Sequence, residues 1–188
     1  METREVEQRA LIALLRAAYS GELAACLAYR GHAASVGDPD EVWHIRAVEA
    51  EEWDHRNRVG EILAALGAAP CPDRERRFTW IGRVIGLLCR VGGWFVPMYG
   101  AARLERGNIV EYEHAARHAF RAGRPEFVDD LLHMAEVEWE HELYFREKAL
   151  SHPLSRVFPM WAPPPPREEI RRAFRRELGA DAAAPPIT

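Results

Sequence analysis

A chain of 188 residues and 21.4 kDa suits one domain, with or without a tail, and can bury a core that needs no covalent staples. Its 25 basic and 29 acidic residues give a net charge of −4, which argues against a nucleic-acid partner, and 48% apolar with 29% charged residues argues against disorder. Cys26, Cys71 and Cys89 form no Cys-x-x-Cys pair, which disfavours a disulfide framework, a zinc ribbon or a rubredoxin-type iron site, and a reducing, cytoplasmic setting is expected.

Helix signals dominate from end to end. The N-terminal stretch carries acidic residues ahead of any apolar run and reads as an amphipathic helix, not a signal peptide. Residues 5–35 lack proline, are rich in Ala, Leu, Glu and Arg, and stop at the turn signal Gly37-Asp38-Pro39. A second helical run covers 40–66 and ends at Gly67 and Pro70-Cys71-Pro72; a third lies between Pro97 and Gly123; a fourth runs from Pro125 to Ser151. The run Pro163–Pro166 then separates a short charged helix, 167–178, from an Ala/Pro-rich end expected to be frayed. No stretch alternates with period two, so no sheet is expected. Four long helices with short turns between the first and second and between the third and fourth describe two antiparallel hairpins, an all-α four-helix bundle over 1–152, with 153–188 as a proline-rich extension.

The interior stripes of these helices carry chemistry. Leu11, Leu15, Ala18, Glu22, Ala25 and Tyr29 share one face; so do Ile45, Val48, Glu52, His55, Val59 and Ile62, and so do Leu131, Met134, Glu138, His141 and Phe145. A lone carboxylate on such a face would cost several kcal/mol or take up a proton, and several would also repel one another. A metal ion resolves both problems. Glu52-Trp-Asp-His55 and Glu138-Trp-Glu-His141 are two copies of Glu-x-x-His, whose spacing sets carboxylate and imidazole one turn apart on the same side.

A bundle that holds two metal ions needs one further glutamate from each remaining helix. Glu22 supplies the first. The third run offers Glu105, Glu111 and Glu113. Facing residues of a hairpin lie equally far from its turn: Glu22 and Glu52 have their midpoint at residue 37, and Glu111 and Glu138 have theirs between 124 and 125, both at expected turns. Glu111 is therefore preferred, with Glu113 as the fallback; Glu105 stays open because it sits on an apolar stripe of its own, Met98, Ala102, Ile109, Tyr112 and Ala116. The expected set is Glu22, Glu52, His55, Glu111, Glu138 and His141 around two divalent ions, and mixed carboxylate and imidazole ligation favours iron or manganese over structural zinc.

This pattern, Glu … Glu-x-x-His … Glu … Glu-x-x-His, resembles that of the ferritin-like di-iron carboxylate superfamily. Within it, Gly21-Glu22, Ala28-Tyr29-Arg30-Gly31, Glu52-Trp-Asp-His55, Val110-Glu111 and Glu138-Trp-Glu-His141 are most similar to the demethoxyubiquinone hydroxylase family, over about residues 10–150. The resemblance implies two iron ions that activate O2, a quinone-like substrate, an external electron donor, and work at a membrane surface in ubiquinone biosynthesis. The rival readings are a rubrerythrin- or bacterioferritin-like peroxidase or ferroxidase, a hydroxylase of tRNA adenosine, and a bundle that binds metal without catalysis.

One segment exceeds what a bundle needs. A crossover of one bundle length, about 35 Å, takes about 10–11 extended residues, whereas residues 68–97 number 30. The surplus is apolar with Arg83 and Arg90, and Trp80, Val84, Leu87 and Val91 fit one helical face. It is expected either to pack over the bundle or in a homodimer contact, or to meet a membrane or cap an apolar channel through 80–96. Further candidates are weighed against plainer roles: His114 reads first as an ordinary helix residue and second as an extra ligand or ligand-orienting group, Tyr29 and Tyr112 read first as core packing and second as hydrogen-bond partners of a ligand or electron relays, Trp53 and Trp139 read as packing residues, and the basic run Arg171–Arg176 reads as a solvated face or docking patch.

Overall fold

The computed structural model describes residues 2–179. The end expected to be frayed, 180–188, lies outside the described residues. The protein is all-α: α1 (Glu2–Ala33), α2 (Pro39–Ala65), α3 (Pro72–Val91), α4 (Phe95–Arg121), α5 (Val128–Ser151) and α6 (Arg167–Leu178), with short 3-10 turns at Pro125–Phe127 and Pro153–Arg156. Helices α1, α2, α4 and α5 are the four long runs expected from the sequence. Asp38 caps α2 by accepting the Asp40 N–H at 2.9 Å, and Pro39 opens the helix, where its missing N–H costs nothing. Gly123, at φ 77°, ends the α4 side of the second hairpin in a left-handed conformation that a side chain would strain.

Helix α1 packs against α2, α3 and α4, and α4 packs along α5. The apolar interior falls into two clusters. One contains Leu11, Leu15, Val59, Ile62, Ile109 and Leu131; the other contains Tyr29, Ile45, Val48, Met98, Ala102 and Phe145. The buried acids and imidazoles lie on the same helical faces, between the residues of the two clusters, so both cores hold the polar layer in place. Helix α1 is long and apolar enough to cross a membrane by length and composition, but here it is a core helix, with Leu11, Leu15, Cys26 and Tyr29 buried. The extension after residue 152 is anchored: Ile170 and Phe174 of α6 join the first core cluster, and the Trp139 indole N–H donates to Pro165 O at 2.7 Å. The basic run is occupied by ion pairs, Arg171 with Glu136 and Asp129, and Arg172 and Arg176 with Glu169.

Most of the surplus connection is helical, and it turns its apolar stripe outward. Trp80, Leu87 and Val91 are 70%, 63% and 74% exposed. The face of α3 against α1 is made of glycine instead. A Cβ on Gly82 would stand 2.7 Å from Ala24 backbone, and one on Gly31 would stand 1.9 Å from Gly86 O. The two helices thus touch backbone to backbone, a separation that only glycine permits. Gly31→Ala is expected to destabilise the protein by about 2–3 kcal/mol through overpacking, whereas Gly107→Ala, with open space around it, is expected to stabilise it by about 0.5–1 kcal/mol through helix propensity. Urea denaturation midpoints check both signs.

Candidate metal centre

Four helices each deliver carboxylates to one point. Glu22 comes from α1, Glu52 and His55 from α2, Glu105 from α4, and Glu138 and His141 from α5; all six are buried, with Glu52, Glu105 and Glu138 fully so. They form two overlapping groups able to hold a metal ion. Glu22, Glu52, His55 and Glu138 make one; Glu52, Glu105, Glu138 and His141 make the other, and within each group the ligand atoms lie within 4.8 Å of one another. Glu52 and Glu138 belong to both. The His55 and His141 rings are 6.3 Å apart.

Of the six residues expected, five meet here and Glu111 does not. Glu111 is only partly buried and stands with Glu22, Asn108 and Tyr112 around a small hollow of about 40 Å³. Glu105 takes its place, and the hairpin register explains why. Glu105 is grouped with both Glu138 and His141, and the midpoint of 105 and 141 is residue 123, the turn glycine. In the first hairpin either pairing puts the midpoint in the turn, so the distinction does not show there. Glu113 and His114 lie outside both groups, and His114 is exposed.

Two tyrosines bind the cluster crosswise. The Tyr29 hydroxyl of α1 donates to Glu105 Oε1, and the Tyr112 hydroxyl of α4 donates to Glu22 Oε1. Each tyrosine lies seven residues after the glutamate on its own helix, Glu22 to Tyr29 and Glu105 to Tyr112. That matched spacing is a sequence signal for Glu105. Asn108 Nδ2 donates to Glu105 Oε2 at 2.8 Å. Glu51, which is half exposed, meets His141 Nε2 at 2.7 Å and leaves Nδ1 turned toward Glu52 and Glu138, each 3.5 Å away. His55 Nδ1 lies 3.0 Å from Glu138 Oε1 and 3.8 Å from Glu52 Oε2.

Charge and burial pull the protons apart. Burial, then the neighbouring Glu52, pushes the Glu22 carboxyl well above its ordinary range; burial, then Glu138 and Glu52, does the same to Glu105. Burial acts on Glu52 and Glu138 as well, but Glu22 and then the two imidazoles outweigh it at Glu52, and the imidazoles outweigh both burial and Glu52 at Glu138, so both carboxyls are held low. Burial alone would depress the histidines; the carboxylates prevail, raising His55 to about 9 and His141 well above its usual value. Even so, the cluster is incompletely paired: Glu22 Oε2, both Glu52 oxygens, Glu138 Oε2 and His141 Nδ1 have no hydrogen-bond partner among the described residues. Buried polar atoms rarely go unmatched. Orphaned acceptors from three helices, all converging, fit a bound cation.

Beside the centre lies an apolar cavity of about 340 Å³ between α1, α3 and α4, lined by residues that include Tyr29, His32, Leu88, Cys89, Pro97 and Leu104. Tyr29 belongs to both places, since it walls the cavity and bonds Glu105.

Comparison with known proteins gives a partial likeness. The chain is 41% identical over 66 residues to the 3-demethoxyubiquinol 3-hydroxylase of Francisella tularensis subsp. novicida (strain U112), and 39% identical over 66 residues to that of subsp. tularensis (strain WY96-3418). In both cases the match covers 35% of this chain and 31% of the relative, so the chain spans about a third of the length of the curated relatives it matches. No family model and no solved structure matches. A stretch of this helical protein, whose buried glutamates and histidines could hold metal, is thus similar to part of a quinol hydroxylase.

Proposed function

We propose that the chain is a ferritin-like di-iron protein and an oxygen-dependent hydroxylase of a quinone-like substrate. The observation that carries this reading is the pair of overlapping Glu/His groups with their orphaned atoms. The partial likeness to a hydroxylase of demethoxyubiquinol supports the substrate class. Glu22, Glu52, His55 and Glu138 would hold one ion, and Glu52, Glu105, Glu138 and His141 the other. Four carboxylates balance two divalent charges, and the nitrogen and oxygen donors suit iron. When bound, the ion pair supplies the redox chemistry of O2 activation, and an external donor supplies two electrons for each oxygen atom placed on substrate and each water released.

The chain's own residues do the rest. Tyr112 holds one oxygen of Glu22 and leaves the other without a partner among the described residues, whereas Glu105 is held at both oxygens, by Tyr29 and by Asn108. Glu51 holds His141 by its outer nitrogen, so the ring presents Nδ1 inward. The apolar lining of the cavity offers an apolar ring a place against Tyr29. Ile85 and Leu88 line the cavity from α3, and the same helix exposes Trp80, Leu87 and Val91 with Arg83 and Arg90, a face suited to a membrane from which an apolar substrate would enter.

The test is anaerobic loading with ferrous iron, then addition of ¹⁸O2, reductant and a demethoxyquinol. The expected product carries one ¹⁸O atom. Oxidation of the iron with no labelled organic product would overturn the hydroxylase reading in favour of a peroxidase or ferroxidase.

A further inference from the structure

The apolar cavity is lined by one histidine, and a nitrogen of that ring is buried without a partner among the described residues. His32 lines the cavity and is 2% exposed, and its Nε2 has no hydrogen-bond partner among the described residues. The other polar lining groups are committed or weak: the Tyr29 hydroxyl is given to Glu105, and Cys89 offers only a thiol. The imidazole packs among aromatic rings. It lies 6.1 Å from the Tyr29 ring and 5.5 Å from the Phe145 ring, and Tyr29 and Phe145 stack on each other at 5.6 Å. Burial pushes its pKa down to about 4, so at neutral pH the ring is uncharged, with one nitrogen a donor and the other an acceptor. An unmatched buried nitrogen is costly, and a ligand that met it would recover that cost.

We propose that His32 is the polar anchor of this cavity: its Nε2 hydrogen-bonds a ring hydroxyl or carbonyl oxygen of an apolar ligand and fixes which edge of the ring is turned toward Tyr29. The inference rests on the reading of this cavity as the place where substrate binds. It assigns His32 a positioning role outside the metal ligands, and it commits the ligand to a class, an apolar ring with an oxygen substituent. An oxygen-free hydrocarbon would enter the cavity but leave the imidazole unmatched. Tyr29 and His32 are three residues apart on α1, so a ring held by His32 lies within one helical turn of the tyrosine that touches Glu105.

The test needs neither iron nor turnover, so its outcome is independent of the hydroxylase assay. Binding of 4-heptylphenol and of heptylbenzene to the full-length protein is measured by isothermal titration. The wild type is expected to prefer the phenol by about tenfold, the effect of one net hydrogen bond. His32→Leu should abolish that preference by weakening the phenol alone, and His32→Gln, which keeps a donor and an acceptor, should retain most of it. Gly100→Leu, which builds into the cavity from a position with no atom near its Cβ, should weaken both probes. Equal affinity of the wild type for the two probes, or equal losses for both in His32→Leu, would overturn the proposal. So would undiminished binding to Gly100→Leu, since the probes would then sit elsewhere. If His32-dependent binding is found and the ¹⁸O experiment fails, the anchor stands and the hydroxylase reading falls.

Discussion

Glu105→Gln is expected to weaken binding of the second metal ion by about 100-fold or more, while Glu111→Gln binds both ions as the wild type does. Glutamine at 105 keeps the shape of the side chain and an oxygen that accepts from the Tyr29 hydroxyl, so the metal-free fold should survive. What it loses is the charge. Glu105 is fully buried among Glu52, Glu138 and His141, and a neutral amide leaves three carboxylates to balance two divalent ions in an interior that tolerates little net charge. Glu111 is only partly buried and outside both ligand groups, so its amide changes nothing the ions touch. Competition with a chromophoric chelator, titrated with ferrous or cobaltous ion, separates the two outcomes. Normal binding by Glu105→Gln with loss in Glu111→Gln would require α4 to sit more than a turn from the register seen here.

The same contrast shows which parts of the site were legible in the sequence. Each Glu-x-x-His pair is written within a single helix, where spacing alone fixes geometry, and both pairs meet in the structure. The α4 ligand depends on register between helices, and that is set by the turn. The midpoint argument paired Glu111 with Glu138, whereas the acid that α4 brings to the centre, Glu105, has its midpoint with His141 at the turn glycine. Burial carried the information more reliably: Met98, Ala102, Ile109, Tyr112 and Ala116 are all buried, so Glu105 interrupts a true core stripe, while Leu104, on the stripe of Glu111, is half exposed. The α3 helix shows a different limit. Its apolar face was legible as a stripe, but apolar character does not say which side faces inward; the glycines at 82 and 86 decide it by letting the backbone of α1 come close. His32 gave no signal as a sequence element, since a lone histidine near a helix end commonly caps or solvates. It becomes informative only beside a cavity with nothing else to satisfy it.

Metal uptake at pH 7 is expected to release protons, and apparent affinity should climb with pH. Without metal, Glu22 and Glu105 have carboxyls raised well above the ordinary 4.5, and so hold protons that an unfolded chain has already lost. Their contribution to stability is complete below about 4.5 and is lost as pH rises through the raised values. His55 and His141 are raised too: their contribution is complete below the ordinary 6.5 and is lost as pH rises, for His55 through about 9. Glu52 and Glu138 run the other way, since their carboxyls are held low; they stabilise the fold above about 4.5, and that contribution fades as pH falls below it. Without metal the protons therefore gather on Glu22, Glu105 and the two imidazoles, which offsets the charges of Glu52 and Glu138. Two divalent ions need all four carboxylates ionised and both imidazoles neutral, and in that state the cations offset the carboxylates. The exchange of cations for protons is what lets the same buried layer exist in both states. Titration calorimetry in two buffers of different ionisation enthalpy counts the protons, and the count should fall above about pH 9, where His55 has already given up its own. A count near zero at pH 7 would mean that the ions sit on exposed carboxylates instead, because those are ionised beforehand and have no proton to surrender.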